Sequence, residues 1–240
     1  MVSSSSFHFS KSNRRYLTLL MCSVKFAPGH LGLKIATGCV NGFVYIYEAA
    51  NKMELTDWIQ TQEIEIEKGT SFSEGGVTCL DWCPSRLEPA TLVIGGRSGN
   101  LEIYRCCDGG RTYTKFLKLD SGLSNPQMQA SIVHGILDVS WSPDVGRSFH
   151  LIASCMGDGE LMVYRLKKKS GKDDSGSDSN AMECTSQKLE TEGCRMWRCG
   201  WNVTGTVLAS SGDGGSVLLH KSDWQNKFKL VSKVAQGRGP

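Results

Sequence analysis

The sequence predicts an all-β chain built from repeated four-stranded units. Three observations carry that expectation. A turn pair ending in Gly recurs at Asn41-Gly42, Ser98-Gly99, Asp158-Gly159 and Gly214-Gly215. Five residues after each Gly stands a ring, at Tyr47, Tyr104, Tyr164 and His220. Upstream of each turn lies an apolar-x-aromatic unit whose aromatic is Phe26, Trp82, Trp141 or Trp201.

Each turn reads as a hairpin feeding a buried strand. Asn-Gly and Asp-Gly favour two-residue loops, in which both central residues take positive φ. The interval up to the ring is apolar: Val44 and Ile46, Leu101 and Ile103, Leu161 and Val163, Val217 and Leu219. Three upstream units close on Pro28, Pro84 and Pro143. Pro ends a strand because it cannot donate to the ladder. Between aromatic and turn lies a second strand, at Leu33 to Thr37, Leu92 to Gly95, Leu151 to Ser154 and Val207 to Ser210. A further strand follows three of the turns, at Trp58 to Ile66, Tyr113 to Leu119 and Phe228 to Val234.

The aromatics recur every 56 to 60 residues. A WD-type blade takes about 40–45 residues, so the excess falls in loops. Strands apolar on both faces are those with a neighbour on each side. The expected fold is therefore a WD-repeat β-propeller with four recognisable blades, at about 22–67, 77–120, 134–190 and 195–235. Residues 1–21 read as a tail without repeat pattern, and 236–240 as a second tail. Lys68 to Gly76 reads as a polar linker. Residues 167–193 open on three lysines and continue rich in Ser and Asp, so they read as a disordered insertion.

The formal net charge is +3, which gives no bulk electrostatic case for direct nucleic-acid binding. No apolar run reaches the ~18 residues of a membrane span. The ten cysteines form no paired CxxC units, and no His stands beside them at zinc spacing. They read as reduced, mostly buried thiols, with no metal. No strand–GxGxxG–helix unit is present to cradle a phosphate. The five histidines are dispersed. His134 reads as a blade brace and His220 as a core residue. Neither a cofactor nor a catalytic cluster is expected, so the chain does not read as an enzyme.

The stretches VKFAPGHLGLKIAT (24–37), VYIYEA (44–49), GRSFHLIA (146–153) and WNVTGTVLASSGD (201–213) resemble the Seh-type WD-repeat nucleoporins. That family is sister to the Sec-type propellers shared by nuclear pores and vesicle coats. The likeness spans about residues 22–235. It implies a non-enzymatic scaffold in the Y-shaped outer-ring complex of the nuclear pore, at the nuclear envelope. It also implies membership of a nutrient-signalling complex at the lysosome or vacuole. The implied partners are an α-helical nucleoporin that inserts strands as an extra blade in trans, and other outer-ring nucleoporins. Family propellers have six blades, and the four repeats here match the last four, so the first two are expected to be missing. His220 stands where the family has Trp, and Gly214 where Asp is common. Gly146-Arg147-Ser148 reads as a family-specific loop that propeller geometry alone does not require. Two alternatives remain open: a subunit of a COPII-type vesicle coat, and an adaptor reading peptides or phosphopeptides through Arg97, Arg111, Arg147 and Arg195.

Overall fold

The computed structural model describes residues 21–66, 76–107, 112–119, 135–169 and 182–235. They form sixteen strands in four antiparallel sheets, each with its strands in chain order. Blade 1 holds β1 (Met21–Phe26), β2 (Lys34–Cys39), β3 (Phe43–Ala49) and β4 (Trp58–Glu65). Blade 2 holds β5 (Val77–Trp82), β6 (Thr91–Gly96), β7 (Leu101–Cys107) and β8 (Thr112–Leu119). Blade 3 holds β9 (Ile136–Trp141), β10 (Phe149–Met156), β11 (Leu161–Lys168) and β12 (Met182–Leu189). Blade 4 holds β13 (Met196–Trp201), β14 (Val207–Gly212), β15 (Ser216–Ser222) and β16 (Phe228–Ala235).

The first strand of each blade lies innermost. β1 packs beside β5, β5 beside β9, and β9 beside β13. Among the described residues β13 makes no comparable contact with β1, so the arc does not close. Each seam between blades is an apolar layer. Val44, Ile46, Leu80 and Leu92 fill the first, Ile103, Val139, Ile152 and Tyr164 the second, and Leu161, Val163, Leu208 and Leu218 the third.

The turns differ from the two-residue hairpins expected. The Gly N–H bonds the carbonyl three residues back: Gly42 to Cys39, Gly99 to Gly96, Gly159 to Met156 and Gly215 to Gly212. Only the Gly takes positive φ, at 84°, 82°, 95° and 61° in turn, while Asn41, Ser98 and Asp158 do not. The loop is thus three residues long, a turn followed by a left-handed Gly, the second commonest hairpin solution. Asn41 and Asp158 instead accept a hydrogen bond from the backbone N–H two residues on, at Phe43 and Glu160.

A second correction concerns the two ends of the insertion expected over 167–193, of which 170–181 lie outside the described residues. β11 runs on through Lys167 and Lys168, and β12 supplies the fourth strand of blade 3. β12 pairs with β11 residue by residue, from Lys168 with Met182 to Leu161 with Leu189. Its polar composition misled because an outermost strand faces water, and backbone pairing to a buried neighbour is what makes it a strand. Blade 1 also begins one residue earlier than expected, at Met21. The expectations for residues 1–20, 236–240 and most of the Lys68–Gly76 linker lie outside the described residues.

Candidate protein-docking face

The rings five residues after each turn Gly, Tyr47, Tyr104, Tyr164 and His220, are all buried. Each sits on the third strand of its blade. His220 Nε2 donates to the Glu190 carbonyl at 2.8 Å, tying blade 4 to the end of β12. That leaves Nδ1 buried with no hydrogen-bond partner among the described residues. Burial holds the His220 pKa below the usual histidine value, with the Glu190 carbonyl opposing the shift.

The inner-strand aromatics act between blades. The Trp82 indole N–H donates to the Lys25 carbonyl of blade 1, and Trp201 donates to the Ser140 carbonyl of blade 3. Trp141 is equally buried, but its indole N–H finds no such acceptor and its ring meets His150 edge-on instead. Phe26 has no preceding blade among the described residues and is exposed.

Carboxylates on inner strands add braces that the motif analysis missed. Asp81 accepts the Trp141 backbone N–H at 2.8 Å, and Asp138 accepts that of Cys199 at 3.0 Å. Burial raises the pKa of both, and the accepted N–H bonds pull it part of the way back. Their signal was an acid placed within an otherwise apolar strand, at Leu80-Asp81-Trp82 and Leu137-Asp138-Val139.

The arginines proposed to read a peptide do not converge. Arg147 lies in the β9–β10 loop, whereas Arg97 and Arg195 lie at the opposite end of the sheets. Arg147 is occupied as a brace: it donates to the Gly205 carbonyl of blade 4 at 2.9 Å and to Ser142 Oγ at 2.8 Å. Geometry therefore does use the Gly146-Arg147-Ser148 loop, contrary to the sequence reading. A Cβ at Gly205 would lie 2.4 Å from the guanidinium, so the approach requires glycine there. Arg195 Nε donates to the Gly157 carbonyl across the third seam. Arg111 and His134 lie outside the described residues.

What remains is the face of blade 4 turned away from blade 3. Along β15, Ser216, Leu218 and His220 point into the third seam and are buried. Val217 and Leu219 point the other way, next to Ser211 and Ala209 of β14. Val234 of β16 pairs with Val217 and continues this apolar surface, and Val231 beside it is exposed. Gly200 of β13 pairs with Ala209 and has open space above it. Lys221 and Lys229 edge the face near the outer strand. The outward face of blade 1 differs: Cys39, Tyr45 and Tyr47 form a buried cluster with Phe43 and Trp58 against them, while the large apolar residues Met21, Val24 and Phe26 of the inner strand are exposed.

Apolar side chains alone bind no metal. Among the described residues no three His, Cys, Asp or Glu gather closely enough to hold one. No described helix is long and apolar enough to cross a membrane. Glu88, Arg105, Trp141 and His150 surround a void of about 10 Å³ in the second seam. The geometry offers a flat, half-apolar sheet face, a surface suited to another β-sheet.

These features define a WD-repeat β-propeller arc. A solved structure of a protein from Lactobacillus plantarum superposes with a TM-score of 0.64 at 13% identity, covering 90% of this chain and 55% of that one. That likeness concerns the fold alone. No protein-family model matches the chain. It is 34% identical over 224 residues to nucleoporin SEH1-B of Xenopus laevis, covering 90% of this chain and 57% of the relative. It is 30% identical to human nucleoporin SEH1 over the same span, and 29% identical over 246 residues to nucleoporin SEH1 of Saccharomyces cerevisiae, of which it covers 67%. Over about nine-tenths of its length the chain is thus similar to SEH1 nucleoporins of vertebrates and yeast. It spans little more than half the length of the vertebrate relatives.

Proposed function

We propose that the chain is a non-enzymatic scaffold subunit of the nuclear pore outer ring, residing at the nuclear envelope. The observation that carries this reading is the outward face of blade 4: Val217, Leu219 and Val234 form an inter-blade surface that no described blade covers. A partner that lends strands in trans gains a backbone ladder and a buried apolar layer together. Burying each such side chain stabilises by roughly 1.5–3 kcal/mol. The partner suited to this role is an α-helical nucleoporin carrying a short strand-rich segment, as the family resemblance implies. The kinship with SEH1 nucleoporins supports the nuclear pore as the place. Membership of a nutrient-signalling complex at the lysosome or vacuole is the second assembly we assign to the same face.

Affinity purification of the tagged chain from its own cells tests this. Recovery of α-helical nucleoporins is the expected result. Recovery of vesicle-coat subunits without nucleoporins would overturn it.

A further inference from the structure

The three seams inside the chain are built to one plan, and blade 4 repeats the receiving half of it. Each blade turns a cross-strand row of one small residue and two aliphatics toward the next blade. In blade 1 the row is Gly38, Val44 and Ile64. In blade 2 it is Gly95, Leu101 and Leu119. In blade 3 it is Cys155, Leu161 and Leu189. The outward face of blade 4 carries Ser211, Val217 and Val234 in the same register. A second row runs beside it, with Ala209 and Leu219 where blade 1 has Ala36 and Ile46 and blade 3 has Ala153 and Val163.

What enters these rows is equally regular. The inner strand of the next blade supplies Val77, Leu80 and Trp82 to the first seam, and Ile136, Val139 and Trp141 to the second. Met196, Cys199 and Trp201 enter the third. The spacing is the same each time: an apolar residue, a second three positions on, and an aromatic two beyond that. A bulge near the start of β5, β9 and β13 brings residues three apart onto one face. The small residue of the row is the slot for the first apolar side chain. A Cβ at Gly38 would lie 2.5 Å from Val77, and one at Gly95 would lie 2.8 Å from Ile136. The aromatic sits over the residue before the preceding blade's own aromatic. Trp82 and Trp201 donate to that residue's carbonyl, at Lys25 and Ser140. On blade 4 the corresponding residue is Gly200, which has open space above it. Blade 4 lacks the acid of the earlier seams, since Arg198 and Gly200 hold the register places of Asp138 and Asp81. Recognition there falls to the apolar pattern.

We infer that the partner strand received by blade 4 carries this same spacing of apolar, apolar and aromatic residues. Its first apolar side chain enters the slot over Ser211, and its ring lies over Gly200. A tryptophan at the ring position donates to the Gly200 carbonyl, as Trp82 and Trp201 do within the chain. The inference rests on the trans docking proposed above and deepens it, because it specifies the partner by side-chain pattern. Ser211 becomes the residue that selects by size, since a slot holding a larger side chain cannot admit the incoming one.

A size series at Ser211 in the tagged full chain tests the inference. Ser211→Gly and Ser211→Ala should recover helical nucleoporins from cells as the unmodified chain does. Ser211→Leu and Ser211→Phe should lower recovery about tenfold or more while leaving the melting curve unchanged. A diazirine-bearing lysine in place of Lys221, at the edge of the face, should cross-link a partner peptide, and mass spectrometry should find the three-residue spacing in it. Equal recovery across the series, or a cross-linked peptide without the spacing, would overturn the inference and leave the trans docking standing. Unfolding of Ser211→Leu would also overturn it, by showing that the slot is already filled within the chain. A vesicle-coat subunit cross-linked through the same spacing would sustain the inference and overturn the nuclear pore reading. Failure of the unmodified chain to recover any helical nucleoporin or to cross-link any partner would overturn both.

Discussion

Blades 3 and 4 share one plan and differ in what covers them. Leu161 of β11 and Val217 of β15 both stand two residues after the turn Gly. Leu161 is fully buried, whereas Val217 is 36% exposed. Tyr164 and His220, both five residues after the Gly, are fully buried. β11 is thus covered on both faces until its final lysines, while β15 is buried only at alternate positions. Apolar residues stand on the outward face of blade 4 although nothing described covers them. The difference shows that a blade carries the surface of its next neighbour in its own sequence, whether or not that neighbour belongs to the same described arc.

Substitution at the matched positions should break this comparison most visibly. Leu161→Ala should cost about 2–5 kcal/mol in denaturant unfolding, because it opens a cavity in the third seam. Removing the Arg147 brace by Arg147→Ala should cost about 1–3 kcal/mol, since three acceptors on two blades lose their donor. Asp138→Ala should cost about 1–2 kcal/mol by orphaning the Cys199 N–H, and Asp138→Asn, which keeps an acceptor, should cost less.

A pH series sharpens the comparison at the ring position. The folded His220 pKa lies below 6.5, so the unfolded chain binds the proton more readily than the folded one. Stability should be complete above pH 6.5 and fall as pH drops through that value. His150 is shifted in the same direction by burial, against the pull of Glu88, and contributes to the same window. His220→Phe should flatten the thermal-melt profile in part, and adding His150→Gln should flatten it further. The smallest effect belongs to Val217→Ala, at under about 0.5 kcal/mol in the isolated chain, because the side chain is already in contact with water.

Much of this plan was legible in the sequence. The turn Gly, the ring and the inner aromatic recur at fixed places because each blade solves the same local problem. The third strands read correctly from apolar content, since a strand between two sheets has no polar face. β12 was not legible, because its strand character comes from pairing with β11 and not from its own residues. The turn type was misjudged because Asn-Gly and Asp-Gly serve both two- and three-residue loops. The braces of Asp81, Asp138 and Arg147 span about sixty residues, as from Trp141 back to Asp81, and no local pattern joins their ends.

The outward face of blade 4 is the centre of the account, and Val217→Arg with Leu219→Arg tests it most directly. The tagged double variant and the unmodified chain would be compared for melting temperature and for recovery of helical nucleoporins from cells. The account predicts an unchanged melting temperature and loss of the nucleoporins. Full recovery of the nucleoporins would contradict it, and so would unfolding of the variant, which would show that this face is already covered within the chain.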